Sequence, residues 1–315
     1  MHVVIPDDYQ DCVRTLQCYA KLQGHQITVY TDTVHDIDPL AARFAQAEAL
    51  VLTRERTRIS AELLDRLPRL KLIAQTGKVA SHIDLAACAA RGITVTQGQG
   101  SGAATLELNL LLILASLRNF VPECNRLQAG LWQGSVGRQL AGKTLGVLGF
   151  GRIGEQLCRV GAALGAQVLV WGRESSRARA SAQGYAVAAT REAFFSDCDV
   201  LSLQLRLTPE TQHSVTPQDL ALMKADAVLV NASRAELIAP GALLHALQLG
   251  RPGFAAVDVY ETEPVLGAAH PLLALPNCLC SPHLGFVERD NYEAYFESAF
   301  DSINAYAAGA PINVV

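Results

Sequence analysis

Short apolar runs punctuate the chain at near-regular intervals, with polar-faced segments of helical spacing between them. In the first third the runs are Val3 to Ile5, Ile27 to Tyr30, Ala49 to Leu52, Lys71 to Thr76 and Ile93 to Thr96. The spacing between them predicts helices near 9–23 and 39–46, from Ser60 to about Leu67, and over 83–91. Ser60 is of the residue type whose hydroxyl accepts from an orphan amide in the first helical turn. After a long apolar helix from about Thr105 to Leu117, strands are expected over 145–150, 167–171, 187–188, 199–203, 227–230, 254–257 and 279–280. A last helix runs from Arg289 to Ala308. Strands that alternate with helices form parallel sheets covered on both faces, so the fold class is α/β and doubly wound.

Two polar, aperiodic stretches interrupt the alternation. Gln97-Gly-Gln-Gly-Ser-Gly102 has the composition of a hinge, and a domain boundary is placed there. Residues 128–141 read as an extended arm, and long ordered loops of this kind are commonly functional or lie at interfaces. At 315 residues the chain exceeds the ~250 at which a single core usually stops growing, so two domains are expected. Half of the residues are hydrophobic and the net charge is only −4. That balance argues against nucleic acid or an anionic membrane as the principal partner, since both demand a basic surface. No apolar run approaches the ~18 residues that span a bilayer, and the chain opens as a strand, so a cytoplasmic location is expected. The eight cysteines show no C-x-x-C pair, and several sit inside apolar patterns; they read as free thiols rather than metal ligands or a disulfide framework.

The clearest local signal is Leu145-Gly-Val-Leu-Gly-Phe-Gly-Arg-Ile-Gly154. Gly149, Gly151 and Gly154 fit G-x-G-x-x-G, in which the first glycine makes the tight turn, the second lets backbone approach a pyrophosphate and the third lets helix pack closely on strand. Alone the pattern is weak, because glycine-rich chains produce it by chance. Here an apolar strand precedes it, Ile153, Leu157, Val160 and Leu164 follow at helical spacing, and a second strand closes a β-α-β unit. Phosphate can then bind the helix amides.

Ligands of open parallel sheets sit at the carboxyl ends of strands, which singles out the polar stretches that follow each apolar run. In the first third these are Thr53-Arg-Glu-Arg56 and Thr76-Gly-Lys-Val79. Later they are Asn231-Ala-Ser-Arg-Ala235, Asp258-Val-Tyr-Glu-Thr-Glu-Pro264 and Ser281-Pro-His-Leu-Gly285. Singly, Arg234, Glu263 and His283 could be a salt-bridging arginine, a surface turn and a hydrogen-bonding histidine. Together they supply an anion holder, an acid/base that works near neutral pH, and a carboxylate to orient it, the set that carbonyl reduction by a hydride donor requires.

On these motifs, together with Asp84-Leu-Ala-Ala-Cys-Ala-Ala-Arg-Gly92 and Leu207-Thr-Pro-Glu-Thr211, essentially the whole chain resembles the D-isomer-specific 2-hydroxyacid dehydrogenases. The resemblance implies a Rossmann dinucleotide-binding domain over 99–286 and a flavodoxin-like substrate domain built from 1–98 and 287–315. It also implies His283 as the acid/base, Glu263 as its partner, and Arg234 on the substrate carboxylate and keto oxygen. Lys78 and Val79 would help hold the carboxylate, with Arg54 a further substrate contact. Thr105, Gly149, Gly151, Arg152, Ile153, Gly154, Arg173, Ala232, Asp258 and Gly285 would line the dinucleotide, Asp258 at the nicotinamide carboxamide. The expected partners are a small 2-keto or 2-hydroxy acid and a second copy of the chain. The homodimer would use the helix from Thr105 and the arm around Trp132. Similar formate dehydrogenases carry glutamine where Glu263 stands, so the acid favours hydroxyacid chemistry.

Three departures from the family pattern matter. Ala235 stands in place of a glycine, and Ala239 in place of an aspartate. The third is the missing carboxylate after the second Rossmann strand, where Trp171 is followed by Gly172, Arg173, Glu174, Ser175, Ser176 and Arg177. Loss of the acid removes repulsion for a ribose 2′-phosphate and Arg173 offers a charged fork to it, so NADP(H) is favoured, with NAD(H) the alternative. The closest pattern is that of glyoxylate/hydroxypyruvate reductases. The alternatives are a phosphoglycerate-type dehydrogenase and a dinucleotide-sensing corepressor of the C-terminal-binding-protein type.

Overall fold

A computed structural model describes all 315 residues and divides them into two compact units, 1–101 with 288–315, and 102–287. The first unit holds a parallel sheet of β1 (His2–Ile5), β2 (Gln26–Val29), β3 (Ala49–Leu52), β4 (Leu72–Gln75) and β5 (Thr94–Gln97), in the order β2-β1-β3-β4-β5. Strands β3 and β4 are buried along their whole length, as continuous apolar runs covered on both faces should be. Helices α1 (Ile37–Phe44), α2 (Ala61–Leu64) and α3 (Leu85–Ala90) connect the strands. Ser60 caps α2 by accepting from the Leu63 amide, and Asp84 caps α3 through the Ala87 amide. The order reverses between β1 and β3, so the loops after these two strands, Pro6 to Asp8 and Thr53 to Thr57, flank the switch point of the sheet.

The single helix expected near 9–23 is not formed. Two short 3₁₀ segments, Val13–Thr15 and Gln17–Leu22, stand there instead. Buried Asp8 accepts from the Cys12 and Val13 amides at 3.1 and 3.0 Å and starts the first segment, and Leu16 in an extended conformation breaks the run. Glu293, on the C-terminal helix Arg289–Ala307, then accepts from the Gln17 and Cys18 amides at 2.6 and 3.0 Å. Tertiary capping has replaced the helical ladder that local spacing suggested.

The second unit opens with α4 (Ala103–Leu117) and α5 (Phe120–Gln128) and then builds a seven-stranded parallel sheet. Its members are β6 (Thr144–Leu148), β7 (Gln167–Trp171), β8 (Ala186–Val187), β9 (Val200–Leu203), β10 (Val228–Asn231), β11 (Phe254–Val257) and β12 (Cys278–Cys280). The order β12-β11-β10-β9-β6-β7-β8 reverses at β6, which makes the crevice between β6 and β9 the switch point of a Rossmann sheet. Helices α6 (Arg152–Ala163), α7 (Glu174–Ala182), α8 (Arg191–Asp197), α9 (Pro217–Leu222) and α10 (Ala242–Leu249) cover the two faces. One core, around Phe194, Phe195, Leu201, Leu229 and Leu243, lies on one side of the sheet. The other, around Ile113, Leu145, Val147, Phe150 and Leu157, lies beneath α4 and α6. No single helix is long and apolar enough to cross a membrane.

Candidate active site

The glycine turn follows β6 at the switch point. Gly149 has φ +103°, a conformation L side chains rarely adopt, and a Cβ on it would meet the Gln204 carbonyl oxygen at 2.6 Å. A Cβ on Gly154 would lie 2.3 Å from the Gly149 carbonyl oxygen, so α6 can pack this closely only on glycine. Gly151 differs: it is the N-cap of α6, makes no side-chain cap, and a Cβ there would meet nothing within 4 Å. Open space thus faces the first-turn amides of Arg152, Ile153 and Gly154, which no intrahelical carbonyl takes. This is the cradle a pyrophosphate fills, and the residues present fit a dinucleotide. At the end of β7, Arg173 is exposed at the N-cap of α7. The Arg177 guanidinium lies over the Trp171 ring at 4.6 Å, with its Nε buried and without a hydrogen-bond partner.

Three loops at the carboxyl ends of β10, β11 and β12 carry the remaining chemistry. His283 follows β12 in a left-handed conformation, φ 51°, the kind of sparsely populated backbone that surrounding contacts must enforce. Its Nδ1–H donates to Glu263 Oε2 at 2.5 Å, and the pair is about a third exposed or less, at 27% and 31%. Glu263 is itself held, because its Oε1 accepts from the Tyr260 amide at 2.9 Å. The Phe286 ring stands edge-on to the imidazole with centroids 5.2 Å apart. With Nδ1 committed to the carboxylate, Nε2 is the ring nitrogen left for proton exchange.

Asp258, fully buried at the end of β11, accepts from the Ser281 hydroxyl at 2.6 Å and from the Leu284 and Gly285 amides at 2.8 and 2.9 Å. Burial raises its carboxyl above the usual carboxylate range, against the pull of these three bonds and of His283. The Thr105 hydroxyl donates to the Gly285 carbonyl at 2.7 Å, which joins the start of α4 to the same loop. After β10, Arg234 donates to the Ser233 carbonyl at 2.6 Å while Asn231 fixes the turn by donating to the Arg234 carbonyl at 2.8 Å. Ala232, in the same turn, is buried. Ala235 begins a 3₁₀ segment at negative φ, so alanine for glycine brings no backbone strain here. Near Ala239, Gly241 is the N-cap of α10, which has no side-chain cap.

In the first unit, Arg54 has φ 55° and reaches over the loop after β4: its guanidinium stands over the Tyr295 ring at 5.6 Å, and a Cβ on Gly77 would meet its Nη1. The Gln75 side chain donates to the Arg54 carbonyl at 2.7 Å and the Arg54 amide to Thr76 Oγ1 at 3.1 Å. Arg54 is thereby brought beside Gly77, next to Lys78 and Val79, whose amide donates to Gln97 Oε1 at 3.4 Å.

Sequence reasoning missed the role of Tyr260 and a polar triplet, buried Asn109 and Ser202 with half-buried Gln204. Gln204 Nε2 donates to Asn109 Oδ1 at 2.8 Å, and Asn109 Nδ2 to the Thr105 carbonyl at 2.8 Å, tying α4 to the residue on which the glycine turn rests. A polar side chain at a core position of an apolar helix was the signal that could have found Asn109.

A doubly wound sheet with a phosphate cradle at its switch point and a histidine–carboxylate pair on the same edge defines a dinucleotide-dependent oxidoreductase. The model of the D-isomer specific 2-hydroxyacid dehydrogenase NAD-binding domain matches residues 110–285. The chain is 35% identical to a glyoxylate reductase of Aeropyrum pernix over 88% of its length and 85% of that protein. Among solved structures, a phosphoglycerate oxidoreductase of Vibrio cholerae O395 is 49% identical with a TM-score of 0.96, covering 98% of this chain and 100% of the other. An oxidoreductase of Ralstonia solanacearum, described as a candidate D-3-phosphoglycerate dehydrogenase, is 47% identical with a TM-score of 0.97, covering 100% and 96%. The chain belongs to the D-isomer-specific 2-hydroxyacid dehydrogenase family and is a 2-hydroxyacid dehydrogenase that uses a nicotinamide dinucleotide.

Proposed function

We propose that the protein reduces a small, unphosphorylated 2-keto acid of the glyoxylate or hydroxypyruvate kind and prefers NADP(H) to NAD(H). The observation that carries the cofactor preference is the end of β7, where Arg173 stands exposed and no carboxylate takes the place at which relatives grip the ribose hydroxyls. Arg177, stacked on Trp171, places a second cation in the same turn. The likeness to a glyoxylate reductase supports the small substrate. The likeness to two phosphoglycerate oxidoreductases supports the second reading, in which the acid carries a phosphate.

When bound, the reduced dinucleotide supplies hydride to the carbonyl carbon of the keto acid. Amides of Arg152, Ile153 and Gly154 would hold its pyrophosphate, and Asp258, Thr105 and Gly285 would border its nicotinamide end. His283 holds a proton at Nε2 and gives it to the keto oxygen, so that keto acid, hydride and proton sum to hydroxy acid. Glu263 fixes the ring and stabilises its positive charge while the proton is held. Arg234 grips the carboxylate and draws electron density from the carbonyl. The first unit is the proposed substrate unit, with Arg54, Lys78 and Val79 on its loops.

We also propose a homodimer. Leu111, Phe120, Leu127, Leu131, Trp132 and Val136 are all half or more exposed on consecutive elements, α4, α5 and the arm, and Val136 is 96% exposed. The arm is ordered outward by the Ser135 hydroxyl and Gly134 amide on Glu123.

Initial rates with glyoxylate, hydroxypyruvate and its 3-phosphorylated counterpart, each with NADPH and NADH, test the reading. Highest kcat/KM for an unphosphorylated acid with NADPH is expected; a preference for the phosphorylated acid or for NADH overturns the corresponding half.

A further inference from the structure

Cys278 and Cys280 lie on one face of β12, an edge strand, and the Cys280 thiol is 3.7 Å from that of Cys278. Both are partly exposed. Behind them stands Tyr260, whose hydroxyl donates to the Ser281 carbonyl at 3.0 Å and contacts Cys280, and whose amide holds Glu263. Ser281 and His283 follow Cys280 in the chain. The thiol pair is therefore two links from the histidine–carboxylate pair along two independent routes, the backbone and Tyr260.

We propose that Cys278 and Cys280 form a modification site at which hydrogen peroxide closes a reversible disulfide that slows turnover. Cys280 thiolate attacks the peroxide oxygen, giving a sulfenic acid and hydroxide. Cys278 sulfur then displaces the hydroxyl group as water, so two thiols and one peroxide become one disulfide and two waters, the peroxide being reduced. Cys280 is the attacking thiol because the contact with Cys278 holds it below the ordinary thiol range against the effect of burial, while the same contact raises Cys278. Burial pushes other thiols the opposite way, Cys12 and Cys88 up to about 11 and Cys158 up to about 12. Residues two apart on a strand have Cα atoms roughly 6.6 Å apart, near the upper limit of about 6.8 Å for a disulfide. A bond closed at that limit is strained and easily reduced, which suits a reversible site. Closure draws Cys280 from Tyr260 and twists the strand that delivers Ser281 and His283.

Bond formation is independent of the catalytic reading, whereas its effect on rate rests on His283 as the acid. The full-length enzyme, pretreated with hydrogen peroxide, is digested with trypsin and assayed before and after dithiothreitol. Expected are loss of two hydrogens within the peptide 235–289, which contains only these two cysteines, and a roughly tenfold lower kcat restored by the reductant. Cys278→Ser is expected to keep basal activity and to escape the reversible loss. The absence of the disulfide, or equal reversible loss in Cys278→Ser, overturns the site. A disulfide with unchanged kcat overturns the coupling. An inactive reduced enzyme, by contrast, contradicts the dehydrogenase chemistry and not the thiol pair.

Discussion

At the scale of single residues, chemistry was legible where a polar side chain terminates an apolar strand. Arg234, Glu263 and His283 stand out for that reason, and the structure brings His283 and Glu263 within 2.5 Å. Tyr260 was not legible, because its role lies in a main-chain amide and a hydroxyl that contact residues distant in sequence. The same holds for Tyr295 beneath Arg54. Removing Arg173 should cost the ~1.5–3 kcal/mol of a charge-assisted hydrogen bond, so Arg173→Ala should raise KM for NADPH by about 10–100-fold while leaving NADH unchanged. A parallel change for both cofactors in steady-state kinetics would place Arg173 outside the ribose-phosphate site.

At the scale of elements, strands were legible as short apolar runs, the central β3, β4, β9 and β10 being buried along their whole length, and their boundaries shift by a residue or two at most places. Helix α5 escaped because it buries none of its residues and so carries no core-facing stripe to read. The segment near 13–22 misled for the opposite reason, having apolar spacing but being capped from outside by Asp8 and Glu293. The joint between α8 and α9 depends on an ion pair that no local pattern announces. Asp219, almost fully buried, accepts two bonds from Arg191 at 2.7 and 2.8 Å and completes a capping box with Thr216. Burial alone would raise its carboxyl, but Arg191 and Thr216 bring it below 3.8. The native state therefore binds fewer protons there than the unfolded chain, and the stabilisation present above 3.8 is lost as pH falls through the folded-state value. Asp219→Asn should destabilise the protein at neutral pH by about 3 kcal/mol, the cost of breaking a buried pair, and the gap should close on acidification. A constant difference in chemical denaturation across that range would contradict the assignment.

At the scale of the molecule, two parallel sheets with reversals between β1 and β3 and between β6 and β9 put the polar loops of each unit at its switch point. That much followed from the alternation of runs and the one glycine motif. The exposed apolar face on α4, α5 and the arm did not follow from pattern, since it reads in sequence like any buried helix and loop. If that face pairs with a second copy, Trp132→Glu with Val136→Glu should yield a folded monomer by sedimentation, against a wild type of twice the chain mass. A wild type that sediments as a monomer would contradict the pairing.

Proton delivery by His283 is the claim on which the functional reading turns, and paired measurements on His283→Ala test it most directly: kcat for keto-acid reduction, and dinucleotide affinity by titration without substrate. Loss of a positioned acid should lower kcat by about 10²–10⁴-fold while affinity stays within roughly twofold. A variant that retains wild-type kcat would contradict the role of His283, and so would one whose loss of turnover is matched by loss of dinucleotide binding.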